Sequence, residues 1–366
     1  MAITRIGNPA IADQRGINFR NIIINGDMSI AQRGTSQSSI TSAGYHTIDR
    51  FRNNIATAGT WTASQSTDVP TGQGFSNSMK LDCTTATSLS AGSKFNIQQK
   101  IEGQNLQYLK KGTSNAKSLT CSFWVKSNKT GTYICELYDE DNTRQISKSY
   151  TIDTANTWEK KTITFAGDTT GTLDNDNGHS FNLLHWLVAG SNFASGTLST
   201  TWTSATFVNR AVGQVNLADS TSNEWYITGV QLEAGQVASD FEFLPHDVNL
   251  NRCLRYFQKS YPYVNSAGTT TNTGMISTAR IQNTVSNRPV SVFFNPYMRT
   301  TPTITIYSLV GTSGSVSDVG TGTGHARDET ANVSTTSPKN WAYLTGVSGL
   351  TAGDGMCFHY TADAEL

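Results

Sequence analysis

The sequence predicts an all-β protein: a large sandwich, a short linking helix, then a second, smaller β-sandwich domain. Three observations predict it. Short segments alternate apolar and polar side chains along most of the 366 residues, the period-two pattern of half-buried strands. Thr, Ser, Asn and Gly fill the intervals, as many short strands joined by polar turns require. Helical spacing stands out at one place, where Leu250, Leu254 and Phe257 share a face.

Residues 1–20 have no period, and Asn8-Pro9 and Arg15-Gly16 interrupt any regular element. Ile3, Ile6, Ile11 and Ile17 find no strand or helix to be buried in, so this stretch is expected to be an arm that gains order on a partner. Residues 21–245 form the large sandwich. Strands are expected at 59–64, 75–82, 95–101, 119–126, 131–138, 157–165, 180–189 and 224–232, with one helical turn at 104–109. Phe95, Ile97 and Gln99 should share a face. Trp124, Trp158 and Trp186 are expected to give the core its bulk. The helix occupies 246–260, with Leu250, Leu254 and Phe257 at the domain junction or an oligomer contact. The second domain, 261–366, has strands expected at 276–281, 290–294, 303–307, 341–344 and 356–360. Residues 311–324, rich in Gly, Ser and Thr, read as a long exposed hairpin or loop.

Three stretches carry a resemblance. The first is Asn21-Ile22-Ile23-Ile24-Asn25-Gly26-Asp27-Met28-Ser29-Ile30-Ala31-Gln32-Arg33-Gly34, leading to Asp49-Arg50-Phe51. The second is Gln231-Leu232-Glu233-Ala234-Gly235, then Phe241-Glu242-Phe243-Leu244-Pro245 and Cys253-Leu254-Arg255-Tyr256-Phe257. The third is Thr361-Ala362-Asp363-Ala364-Glu365-Leu366. Together they resemble the opening, junction and end of tailed-bacteriophage tail-fibre and virion surface proteins. Phe51 stands where that family usually has Trp. The strand order around Ser122-Phe123-Trp124-Val125-Lys126, 157–165 and 225–233 is similar to the jelly roll of carbohydrate-binding modules. The family resemblance implies a virion protein made in the host cytoplasm, a homotrimer, and attachment to other virion proteins. The arm is expected to supply that attachment, with the C-terminal domain facing the host.

Composition narrows the function. Charged residues make up 15% of the chain and the formal net charge is zero, so the basic footprint of a nucleic-acid binder is absent. No apolar run is long enough to insert in a membrane, and the first residues lack the apolar core of a secretory signal. The five cysteines, Cys83, Cys121, Cys135, Cys253 and Cys357, are spaced singly. An odd, unpaired set fits reduced thiols packed in a core. Cys121 and Cys135 lie on consecutive expected strands and could face one another.

No nucleophile elbow, zinc-protease helix or phosphate loop is present, so an enzyme is not expected. No cofactor is expected either. Asp174, Asn175 and Asp176 offer closely spaced oxygens that suit a structural calcium, though the same residues make ordinary polar turns, which is the favoured reading. A polysaccharide needs aromatic faces beside hydrogen-bonding groups. Trp202, Trp341, Tyr261, Tyr263 and Trp61 fall outside the clear core alternation and are the candidate glycan contacts. The expected function is a tail-fibre or surface-fibre protein that attaches to the particle and binds host-surface polysaccharide. The alternatives are a capsid decoration or baseplate component without receptor binding, and a glycan-cleaving tail enzyme.

Overall fold

The computed structural model describes residues 19–278, 287–319, 327–347 and 355–366. The first sandwich comprises β1 (Ser36–Ile40), β2 (Arg52–Ala56), β3 (Thr60–Ser66), β4 (Ser78–Thr85), β5 (Lys94–Glu102), β6 (Leu119–Ser127), β7 (Gly131–Asp139), β8 (Arg144–Ile152), β9 (Glu159–Phe165), β10 (His179–Ala189), β11 (Thr203–Ser204) and β12 (Glu224–Ala234). One sheet runs β1-β3-β4-β12-β6-β9 and the other β11-β8-β7-β10-β5-β2. This is the expected jelly-roll sandwich. Its expected helical turn is a pair of 3-10 turns, Gly103–Asn105 and Gln107–Leu109.

Alternation decides which side chains enter the core. On β6 the inward set is Leu119, Cys121, Phe123 and Val125. Trp124 is therefore on the outer face and only half-buried, which corrects its expected place in the core. A phase of one residue exchanges the two faces of a strand, and the smaller ring took the inward site. Trp158 precedes β9, is also half-buried, and donates its indole N–H to Asp68 at 2.9 Å. Trp186 is buried, but beside Ile134 and Ala211 on the outer face of the second sheet. The short helix α1 (Ser191–Ala194) lies against that patch through Phe193. His185, by contrast, takes an inward place, edge-on to Phe123 with ring centroids 4.7 Å apart. Burial pushes its pKa down to about 3.

The linking helix α2 spans His246–Leu254, shorter than the expected 246–260. The chain then turns, and β13 (Phe257–Lys259) pairs with β21 (Gly355–Asp363). Between them lie β14 (Ile276–Ser277), β15 (Arg288–Phe293), β16 (Thr303–Tyr307), β17 (Ser315–Val319), β18 (Arg327–Thr330), β19 (Asn332–Thr336) and β20 (Asn340–Thr345). β21 is the hub, pairing with β13, β14, β16 and β17. The sheet β15-β20-β19 completes the smaller sandwich, whose core includes Val292, Trp341, Leu344 and Phe358.

Three further expectations change. The inward face of α2 is Asn249 and Cys253, not the face of Leu254, which is half-buried. Polar contacts set that orientation: the Asn249 amide donates to Asp27 and Ser29 and accepts from the Asn25 N–H, each at 3.1–3.2 Å. Leu250 packs beside Ile24, Ile30, Cys253 and Tyr256, while Phe257 is buried in a strand under the Arg33 guanidinium. The 311–324 stretch is not all exposed loop, because Val316 and Ser317 of β17 are buried and pair with β18. Its tip, 320–326, the arm over 1–18 and the expected strand residues 279–281 lie outside the described residues.

The three family-like stretches converge. Asn21 donates to Val230 O at 3.0 Å and accepts from Leu232 N at 3.0 Å. Arg33 pairs with Asp363 at 3.0 Å, and Ala364 N donates to Tyr256 O at 2.8 Å. Hydrogen bonds and ion pairs between segments distant in the chain thus close one junction between the two sandwiches.

Candidate functional site

A cleft of about 360 Å³ opens at this junction. β5 contributes Gln99, Lys100 and Ile101, and the following turn contributes Gln104, Asn105 and Tyr108. The opening stretch supplies Phe19, Asn21, Ile22 and Ile24 on one wall, and α2 with its C-terminal end supplies Arg252, Arg255 and Tyr256. Arg50 closes the floor.

Each position has a local cause. Gln99 sits at the end of the inward phase of β5, where its amide pairs with Ile24 N and O at 2.7 and 2.9 Å, as a neighbouring strand would. Arg255 holds Glu102 with two bonds, at 2.9 and 2.7 Å. Tyr256 O–H and Gln104 also donate to that carboxylate. Burial works against the Glu102 charge, yet the bonds from Arg255 and Tyr256 prevail and hold its pKa below the usual carboxylate range. Arg50 lies 3.4 Å over the Tyr256 ring and pairs with Glu365.

Two cations have no such partner. Arg252 makes one long bond, 3.4 Å to Asn21 O, and burial lowers its pKa. Lys100 is lowered by burial and then by Arg52. Among the described residues neither has a carboxylate within ion-pair distance. Four cationic side chains line the cleft, and no Asp or Glu does among the described residues. The buried Nε–H of Arg50 has no hydrogen-bond partner among the described residues. The cleft therefore suits an anion, with the amides of Gln104 and Asn105 for hydroxyls and Phe19 and Tyr108 for an apolar face.

The rings singled out in the sequence lie elsewhere. Trp61 and Trp341 are fully buried. Trp61 packs edge-on to Phe95 at 4.8 Å and Trp341 beside Phe358 at 5.6 Å. Tyr261 is buried, stacked 4.0 Å from His359. Trp202 is half-buried against Phe181, its indole N–H on Ala166 O at 2.7 Å. Tyr263 is 38% exposed, but its hydroxyl accepts from Ala31 N at 2.7 Å. A ring without a free face offers none to a sugar, which overturns Trp61, Trp341 and Tyr261 as contacts. None of the five lines the cleft. The oxygen-rich turn behaves as a turn: Asp176 caps the Gly178 N–H at 2.7 Å and Asp174 N donates to Asp141. Among the described residues Asp174 and Asp176 belong to no cluster of metal-ligating side chains.

Sequence reasoning missed Arg50, Lys100, Arg252 and Arg255. Arg50 and Arg255 stand inside the family-like stretches, and Arg252 directly precedes Cys253. Zero net charge hid their convergence.

No protein-family model matches the chain, and no curated protein matches it. Several solved structures are similar. One is the enzymatically active domain of tailspike protein 4 of bacteriophage CBA120, at 13% identity over 59% of this chain and 22% of that one, with a TM-score of 0.31. Another is a module titled TmCBM61 in complex with β-1,4-galactotriose, at 10% identity over 59% and 99%, with a TM-score of 0.30. A third is the family 11 carbohydrate-binding module from Clostridium thermocellum with a mixed-linked tetrasaccharide, at 12% identity over 56% and 99%, with a TM-score of 0.29. The matched part is thus about a fifth of the tailspike chain. Among the described residues no helix is long and apolar enough to cross a membrane.

Proposed function

We propose that this chain is a surface component of a tailed-bacteriophage particle that binds an acidic host-surface glycan in the junction cleft and does not cleave it. The cleft carries the reading: four cations, amides and aromatic edges, with no carboxylate among its described lining residues. Glycan cleavage uses two carboxylates facing one bond across about 5–9.5 Å. Glu102 and Glu365, the acids closest in the network, are each held by arginine. The resemblance of the opening, junction and end stretches supports the virion assignment, and those same stretches supply Asn21, Arg50, Arg255 and Tyr256 to the cleft. In this reading the arm docks on another virion protein, and three copies assemble.

The test is binding of the purified chain to arrays of neutral and anionic oligosaccharides, with the supernatant analysed for released product. Binding confined to uronic-acid, sialylated, sulfated or phosphorylated glycans supports the reading. Firm particle binding without glycan binding would make the chain a decoration or baseplate component. Released oligosaccharide would make it an enzyme.

A further inference from the structure

The interior of the first sandwich holds a second polar cluster, distinct from the cleft. Cys135 on β7 and His185 on β10 are register partners, and Cys121 reaches them from β6 of the opposite sheet. The two thiols thus face each other across the core rather than along adjacent strands. The two Sγ atoms and a ring nitrogen of His185 lie within 4.8 Å of one another, and all three residues are buried. Neither ring nitrogen of His185 has a hydrogen-bond partner among the described residues. Tyr150 Oη lies electrostatically close to both thiols, with the Trp225 indole beside it.

A buried polar atom left unpaired costs about 1–3 kcal/mol, and a sandwich core has ample apolar residues to put there instead. A histidine at an inward strand position, with both nitrogens orphaned and two thiols beside it, needs a reason. We propose that Cys121, Cys135 and His185 form a zinc site inside the sandwich. The donor set is soft sulfur and imidazole, which selects zinc over calcium or magnesium. Two thiols lose their protons to solvent as the ion binds, so Zn²⁺, two thiolates and neutral imidazole sum to zero charge. A neutral complex is the form that a low-dielectric core tolerates. Zn–S near 2.3 Å and Zn–N near 2.0–2.1 Å require donor separations of about 3.5–3.8 Å, a contraction of roughly 1 Å by side-chain rotation. The site has no opening to solvent, so the ion enters as the two sheets close, and binding and folding are coupled.

The purified full chain, produced with zinc in the medium, is analysed for metal. It is also unfolded under reducing conditions and refolded with one equivalent of Co²⁺. We expect one zinc per chain, and, with cobalt, thiolate charge-transfer bands and the intense d–d bands of a tetrahedral site. The His185→Phe variant, which fills the same space, should lose both signals. A chain that folds without zinc and shows only the weak spectrum of hexaaqua cobalt overturns the proposal. So does a Cys121–Cys135 disulfide in peptides mapped without reduction. Both readouts are made on the native sequence, so they decide the matter even where the variant does not fold.

Discussion

Arg50 and Glu365, 315 residues apart in the chain, form an ion pair whose side chains are 1% and 4% exposed. The Arg50 guanidinium also lies over Tyr256 and donates to Lys100 O at 2.7 Å. Glu365 is shared with Arg33, whose Nη2 is 3.4 Å away. The pair therefore ties the opening stretch, the strand end at Lys100, the turn after α2 and the last residues into one buried network. That network is also the floor of the cleft, so the stability of the junction and the shape of the site are one property.

Removing one member strands the other charge. Arg50→Ala should destabilise the protein by about 3–5 kcal/mol in urea unfolding. Replacing both partners with apolar residues of similar volume, Arg50→Met with Glu365→Leu, should lose much less. A double variant as unstable as the single one would mean that packing on Tyr256, not charge pairing, is what Arg50 contributes.

The phase of β6 is testable in the same way. Phe123 is fully buried in the large core, so Phe123→Ala should lower stability by about 3–5 kcal/mol through transfer and cavity terms. Trp124→Ala, on the outer face, should change it by about 1 kcal/mol or less. The reverse ranking would place the strand one residue out of register.

The strands were legible because alternation is a local signal, and the expected positions of β3, β5 to β7, β9, β10 and β12 lie close to the observed ones. β1, Ser36–Ile40, β2, Arg52–Ala56, β8, Arg144–Ile152, and the two-residue β11 were missed, since short or polar strands alternate weakly. Phase was less legible than position: both members of the pair Phe123-Trp124 are apolar, so nothing local says which points inward. The cleft was invisible for a different reason. Its residues come from 19–24, 50, 99–108 and 252–256, and only the paired sheets and α2 bring those together. His185 reads as a polar interruption of an apolar strand, and its sulfur neighbours come from two other strands.

Acid should weaken the junction through His179. Its Nε2 lies 2.7 Å from Asn182 Oδ1, and burial, then Lys100, push its pKa down to about 4. The unfolded chain, with a histidine pKa near 6.5, then binds more protons than the folded one between these values. Stability from this group is full above about pH 6.5 and falls as pH drops toward 4. His179→Gln should reduce the loss of melting temperature between pH 7 and pH 4 relative to the parent. An unchanged slope would show that His179 titrates normally in the folded protein.

The cleft makes a prediction about charge that the fold alone does not. Lys100 and Arg252 are the lining cations without a carboxylate partner, so their charge is directed at whatever enters, whereas Arg255 is committed to Glu102. Lys100→Ala and Arg252→Ala should each weaken an acidic oligosaccharide about tenfold, equivalent to about 1.4 kcal/mol, by isothermal titration. Arg255→Ala is a poorer probe, because it leaves Glu102 buried and unpaired and so disturbs the wall itself. Binding should also weaken between low and physiological salt, and less steeply in either variant, since each removes one screened contact. Lys160 provides the control: it is exposed on β9, does not line the cleft, and Lys160→Ala should leave affinity unchanged. Equal losses from Lys160→Ala and Arg252→Ala would show that the ligand reads overall charge, and the cleft would no longer be the site.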